Sequence, residues 1–187
     1  MSQRTLRPWP LIKGTIFKFY CWMFYPNIKV GRRVRVSIWP KIIGPGHIGI
    51  GDKVCFVDNH GGRAYLLTYK KGASISIGSG TVVGGTHILC SQSVRIGAKS
   101  LLGMATIMDT DIVPCDDETA LRRFRHPTPA PVNLGDNVWL GTFAIVTKGV
   151  NLASDSVVGA GAVVFDSSEA KKTLFIGNPA RRVGGLL

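Results

Sequence analysis

The first 51 residues contain no aspartate and no glutamate, although they carry nine lysines and arginines. So one-sided a stretch predicts a cationic surface rather than the mixed charge of an ordinary soluble face. Acids are scarce throughout, with 11 Asp and Glu against 23 Lys and Arg and a formal charge of +12. The four cysteines (Cys21, Cys55, Cys90, Cys115) form no CxxC pair and no metal-ligand spacing, and no signal peptide is recognisable. That pattern argues against a disulfide framework or a metal site and leaves free thiols in a cytoplasmic protein as the expectation. A bilayer crossing takes about 20 apolar residues. The most apolar stretch, LIKGTIFKFYCWMFY (11–25), is shorter and holds two lysines. It is expected either to lie as an amphipathic helix on an anionic membrane face or to pack on the main domain or a neighbouring subunit. No nucleic-acid-binding motif accompanies the charge, so nucleic acid is not an expected partner. With 187 residues, 45% of them hydrophobic, the chain suffices for one well-buried domain and not for two. The division expected is a basic, apolar arm over 1–27 and a single domain over 28–187.

What the domain has in abundance is a period of six. Leu134, Leu140, Val146, Leu152, Val158 and Val164 follow one another at that step, and two residues before each stands Val132, Val138, Ala144, Val150, Ser156 or Ala162. Shorter runs keep the step: Val30, Val36, Ile42 and Ile48; Ile77, Val83 and Leu89; Ile96, Leu102 and Met108. Six is neither the period of two of an ordinary strand nor the 3.6 of a helix. Short strands joined by turns, three to a coil, place one aliphatic residue inward at every sixth position. Coils of this kind stack at the ordinary strand spacing of about 4.8 Å. The fold class predicted is therefore all-β, a parallel β-helix. Glycine follows many of the inward residues (Gly78, Gly84, Gly97, Gly103, Gly135, Gly141, Gly159), as expected where corners require positive φ. Two segments break the rhythm, 57–73 and 109–131, and are expected to leave the coil as loops. An excursion from a rigid scaffold is where functional groups concentrate.

In GDNVWLGTFAIVTKGVNLASDSVVGAGAVV (135–164) and IGNPARRV (176–183) the chain resembles the hexapeptide-repeat acyltransferases, and most of all their sugar O-acetyltransferase branch, which includes maltose and galactoside acetyltransferases and polysaccharide-modifying relatives. The resemblance covers roughly residues 28–185. It implies a left-handed β-helix, a homotrimer, and acetyl-CoA in a cleft between neighbouring subunits. It further implies that Trp139, Gly141 and Thr142 lie beside the thioester, with the Thr142 N–H polarising its carbonyl. Gly159, Ala160 and Ala162 would line the pantetheine arm. Asn178, Pro179, Arg181 and Arg182 would approach the nucleotide end, where guanidinium groups suit phosphate oxygens. The lysine of the family's VVTKD is missing from VVFDS (163–167). The implied function is O-acetylation of a sugar or glycan precursor. Residues 1–41, by their cationic charge rather than by the resemblance, offer a peripheral contact with the inner membrane face.

Acyl transfer to a hydroxyl needs a base, and histidine suits that role near neutral pH. Relatives supply it from the excursion, in sequences similar to DTDFHP or DHDIHP. Here the segment reads DTDIVP (109–114), so Thr110 and Val113 stand where histidine is expected. Three candidates remain for the catalytic group. His87, in GGTHILC, falls two residues before Leu89; His126, in RFRHPTP, belongs to the excursion; and Asp111, with Asp109, offers a carboxylate. The competing expectation is a catalytically silent homologue that keeps the trimer and the CoA cleft. The scattered histidines do not offer the three-histidine metal site of the β-helical carbonic anhydrases, and no metal is expected. A nucleotide-sugar N-acetyltransferase would add an N-terminal nucleotide-binding domain, which is not visible.

Overall fold

The computed structural model describes residues 9–58, 62–110 and 128–185. The described residues begin with α1 (Trp9–Phe24) and then wind into coils of three strands each. The first coil is β1 (Ile28–Val30), β2 (Arg35–Val36) and β3 (Lys41–Ile43), and the second is β4 (His47–Ile50), β5 (Cys55–Phe56) and β6 (Tyr65–Thr68). The third comprises β7 (Ser74–Ile77), β8 (Val82–Val83) and β9 (His87–Cys90), the fourth β10 (Ser93–Ile96), β11 (Leu101–Leu102) and β12 (Thr106–Met108). Then come β13 (Val132–Leu134), β14 (Trp139–Leu140) and β15 (Ile145–Val146), followed by β16 (Asn151–Leu152), β17 (Val157–Val158) and β18 (Val163–Val164). A closing hairpin, β19 (Thr173–Ile176) and β20 (Arg181–Gly185), ends the described chain. Through β18 every strand pairs in parallel with the one three further on, giving three sheets that form the faces of a prism; β17 continues in parallel onto β19, and among the described residues β19 and β20 alone pair antiparallel. This is the left-handed β-helix of the hexapeptide-repeat proteins.

The core is a set of columns running along the prism axis. On the first face Ile50, Ile77, Ile96, Leu134 and Leu152 stack in register; on the second Val36, Phe56, Val83, Leu102, Leu140 and Val158 do so. All are buried. On the third face the expected period slips in two coils. Ile88 and Ile107 are fully buried, whereas Leu89 and Met108, one residue later, are only half-buried. The cause is a shorter corner. In these two coils the Thr86 N–H bonds back to the Gly84 carbonyl (2.6 Å) and the Ala105 N–H to that of Gly103 (2.8 Å). In the next coil the equivalent bond spans one residue more, from the Ala144 N–H to the Gly141 carbonyl (3.1 Å).

Two further expectations are corrected. Segment 57–73 is not all loop, because β6 lies within it and places Leu66 in the core between Ile42 and Ile88. The glycines after the inward residues do not serve positive φ. A Cβ on Gly97 would meet the Gly135 carbonyl oxygen at 2.3 Å, and one on Gly135 the Ser154 nitrogen at 2.5 Å. The coils approach too closely for any side chain there. The left-handed conformation falls two residues later, on Lys53, Lys99 and Asn137.

Helix α1 closes the open end of the first coil. Gly14, Phe17 and Cys21 face inward, and Phe17 packs edge-on against Trp39 and Phe56 with ring centroids 5.5 and 6.3 Å away. A Cβ on Gly14 would fall 1.9 Å from the Val34 carbonyl oxygen, so only glycine lets the helix approach this closely.

Candidate active site

The edge between the second and third faces carries most of the candidate groups. Its corners are 84–86, 103–105, 141–144 and 159–162, one above another. Because the third face slips by a residue, His87 is not at an inward-leaning position. It opens β9 on the outer surface, in a row that runs Lys41, Tyr65, His87, Thr106, Ile145, Val163. Its side chain is exposed. The imidazole meets the Tyr65 ring edge-on, with centroids 4.8 Å apart and planes at 67°, and the Lys41 Nζ lies 5.5 Å from the centroid of that tyrosine ring. Among the described residues the imidazole has no hydrogen-bond partner. A histidine held by aromatic contact with both nitrogens available can accept and return a proton.

Two coils further along the same edge lies the Trp139–Thr142 corner. Trp139 and Thr142 are exposed and Gly141 is half-buried. The Thr142 carbonyl accepts from the Gly161 N–H (2.9 Å), and among the described residues the Thr142 N–H itself has no acceptor. An unengaged amide at an exposed corner is a preorganised donor for a developing oxyanion. Gly159 is half-buried and Ala160 exposed in the next coil, while Ala162 is fully buried, its N–H donating to the Gly159 carbonyl (3.3 Å) and its carbonyl accepting from the Ile145 N–H (2.8 Å). Asn178, Pro179, Arg181 and Arg182 are exposed on the closing hairpin. Arg181 approaches Asp166 (Nη1 to Oδ2 3.8 Å), the residue that follows Phe165 in the altered VVFDS.

His126, Asp111 and Val113 lie outside the described residues. Asp109 is described, and its role is structural. The carboxylate is fully buried and accepts from the backbone N–H groups of Ser91 (2.7 Å), Gln92 (2.7 Å) and Ser93 (2.8 Å), fixing the turn between β9 and β10. Its own carbonyl accepts from the Ala130 N–H (2.9 Å), closing the base of the excursion. Burial, and then the Asp109 carboxylate beside it, push the Cys90 thiol from the ordinary 9.0 up to about 12. Burial alone pushes Cys21 up to about 11. Both thiols are expected to resist alkylation in the native protein at pH 8. A thiol raised on folding contributes stability that is fully present below pH 9 and is lost as pH rises from 9 toward 12. Thermal melts of the wild type should therefore fall more steeply over that window than those of Cys90→Ala.

Tyr65 and Lys41 escape a reading of the sequence, because Tyr65 falls in a segment taken as loop. The signal available was Ala64-x-Leu66, the same spacing as Ala144-x-Val146 and Ala162-x-Val164 in the regular coils. Among the described residues no three His, Cys, Asp or Glu come together as metal ligands, and no helix is long and apolar enough to cross a membrane.

No protein-family model matches the chain. It is 45% identical over 90 residues to an acetyltransferase-like protein of Schizosaccharomyces pombe, covering 48% of this chain and 42% of that one. It is 30% identical over 77 residues to the galactoside O-acetyltransferase of Escherichia coli, covering 41% and 37%. The matched stretch thus spans less than half the length of these curated relatives. Among solved structures, a hexapeptide-repeat acetyltransferase from Vibrio cholerae superposes with a TM-score of 0.58 at 25% identity, over 74% of this chain and 73% of that one. That protein has also been solved with acetyl coenzyme A bound. A polysialic acid O-acetyltransferase shares the fold with a TM-score of 0.64 at 22% identity, over 84% and 74%.

Proposed function

We propose that this chain, which resembles the hexapeptide-repeat acetyltransferases in sequence and in fold, transfers an acetyl group from acetyl-CoA to a hydroxyl of a sugar or glycan. The observation that carries the reading is the pairing, on one edge of the prism, of an unengaged corner amide at Thr142 with an outward, unbonded imidazole at His87.

The spacing suits the chemistry. The two groups are separated by two coils, roughly 9–10 Å along the edge. A donor–oxyanion hydrogen bond, an attack distance of about 3 Å and a hydroxyl–base hydrogen bond span roughly the same length. In the reaction the acceptor oxygen attacks the thioester carbonyl carbon while His87 takes the hydroxyl proton. The Thr142 N–H donates to the carbonyl oxygen as negative charge grows there. Collapse breaks the carbon–sulfur bond, and the imidazolium returns the proton to the CoA sulfur. The exposed backbone around Gly159 and Ala160 suits an extended pantetheine arm, and Arg181 and Arg182 suit phosphates.

The functional unit in this reading is a homotrimer. Leu101, Trp139 and Phe143, exposed by 44%, 52% and 66%, leave apolar surface beside the same edge, and a neighbouring subunit would cover it and complete the cleft. The test is CoA thiol release from acetyl-CoA, with and without sugar acceptors, followed by identification of the acetylated product. Release that depends on acceptor is the expected result. CoA binding in calorimetry without any acceptor-dependent turnover would instead favour a catalytically silent homologue.

A further inference from the structure

Helix α1 has two apolar faces, and the fold covers one of them. Gly14, Phe17 and Cys21 pack inward. On the opposite side, roughly 160° around at 3.6 residues per turn, Trp9, Ile12, Ile16, Phe19 and Met23 form a second stripe, exposed by 61%, 47%, 53%, 55% and 50%. Trp22 beside it is 75% exposed. A contiguous exposed apolar stripe of this kind marks an interaction surface.

The surroundings of the stripe identify what covers it. Next to the first turn of α1, at Pro10 and Leu11, a cavity of about 340 Å³ is lined by Arg33, Arg35 and Lys53 together with Ser37. Neither arginine nor the lysine pairs with a carboxylate among the described residues. Lys18 lies on the helix itself, and Asp52, the first acid of the chain, is taken by Arg32 (3.2 Å). A second copy docking through this face would bring Lys18, Arg33, Arg35 and Lys53 against the same four cations, which like-charge repulsion opposes. An anionic bilayer surface supplies both missing partners, acyl chains for the stripe and phosphate groups for the cations. At 16 residues the helix is too short to span a bilayer, so it lies in the interface.

We infer that α1 and the adjoining Arg33–Arg35–Lys53 cavity form a docking surface for an anionic phospholipid membrane, the helix lying flat with its outer stripe among the acyl chains and phosphodiester headgroups entering the cavity. The surface lies at the first-coil end of the prism, apart from the Thr142 corner, so the protein would work on acceptors presented at a membrane.

The experiment is sedimentation of the full chain with vesicles of phosphatidylcholine alone or with about one-third phosphatidylglycerol, while tryptophan emission is recorded. It needs no acetyl transfer, so its outcome is independent of the proposed activity. Binding to the anionic vesicles at least roughly tenfold stronger than to the neutral ones, with a blue-shifted emission and release at high salt, is expected. The variant Ile16→Ser/Phe19→Ser/Trp22→Ser alters only outward side chains and should keep the melting temperature and the oligomeric mass while losing vesicle binding. Arg33→Gln/Lys53→Gln should lose the preference for anionic lipid and keep weak binding to both. Equal binding to both vesicle types by the wild type, or none to either, overturns the inference. A fall in mass by light scattering in the triple serine variant does so too, since it would show that another copy of the chain covers the stripe.

Discussion

Replacing His87 with alanine is expected to lower acetyl transfer by about 10²- to 10⁴-fold, the usual worth of a positioned general base. The imidazole is exposed at the edge that carries the Thr142 amide, touches Tyr65 and has both nitrogens free of hydrogen bonds among the described residues. The loss should appear in kcat and kcat/KM together, because the proton moves only as the acceptor oxygen attacks. CoA affinity should be unchanged, since the proposed CoA contacts lie on later coils. Val113→His supplies the converse test: it restores histidine where relatives carry one, so a protein that already uses His87 should gain little, and a silent homologue should gain activity. Full activity in His87→Ala would assign the base to the excursion, where His126 and Asp111 lie.

The second large effect is on stability and concerns Asp109. Asp109→Ala removes a buried carboxylate that accepts three backbone N–H groups in one turn. Each buried donor left without an acceptor costs about 1–3 kcal/mol, reduced where water enters the vacated space. The expected loss is about 3–5 kcal/mol, a large part of the 5–15 kcal/mol typical of a folded domain. Asp109→Asn keeps the shape but holds one acceptor oxygen instead of two, and turns an amide N–H₂ toward donors, so it should fall in between. Urea unfolding of the three proteins checks the order. If Asp109→Ala melts with the wild type, the turn after β9 is held by its neighbours rather than by the carboxylate. The Ala130 contact also ties this residue to the base of the excursion, so a loss of activity in Asp109→Asn at temperatures where it remains folded would show that the turn positions the excursion as well.

The sequence by itself determined the period, and the period determined the architecture. An inward aliphatic at every sixth position, with a small or β-branched residue two before it, is a local covalent property, and it recurs often enough to point to a β-helix. The run Leu134 to Val164 is buried at every predicted position. The segments 139–142 and IGNPARRV, each contiguous in the chain, carry the family resemblance, and the structure places them at an exposed corner and on the closing hairpin.

The tertiary structure decided everything that depends on which coil lies above which. One residue fewer at the corners 84–86 and 103–105 turns Leu89 and Met108 outward and His87 with them. That single step sets the face of every side chain up to the next corner, because strand side chains alternate. Stacking of β6 on β9 brings Tyr65 against His87 across 22 positions in the chain, a contact that no local pattern encodes. Stacking also gives Asp109 its three donors from the turn that joins the third coil to the fourth, and it decides which of the two apolar faces of α1 meets the core and which is left for a partner.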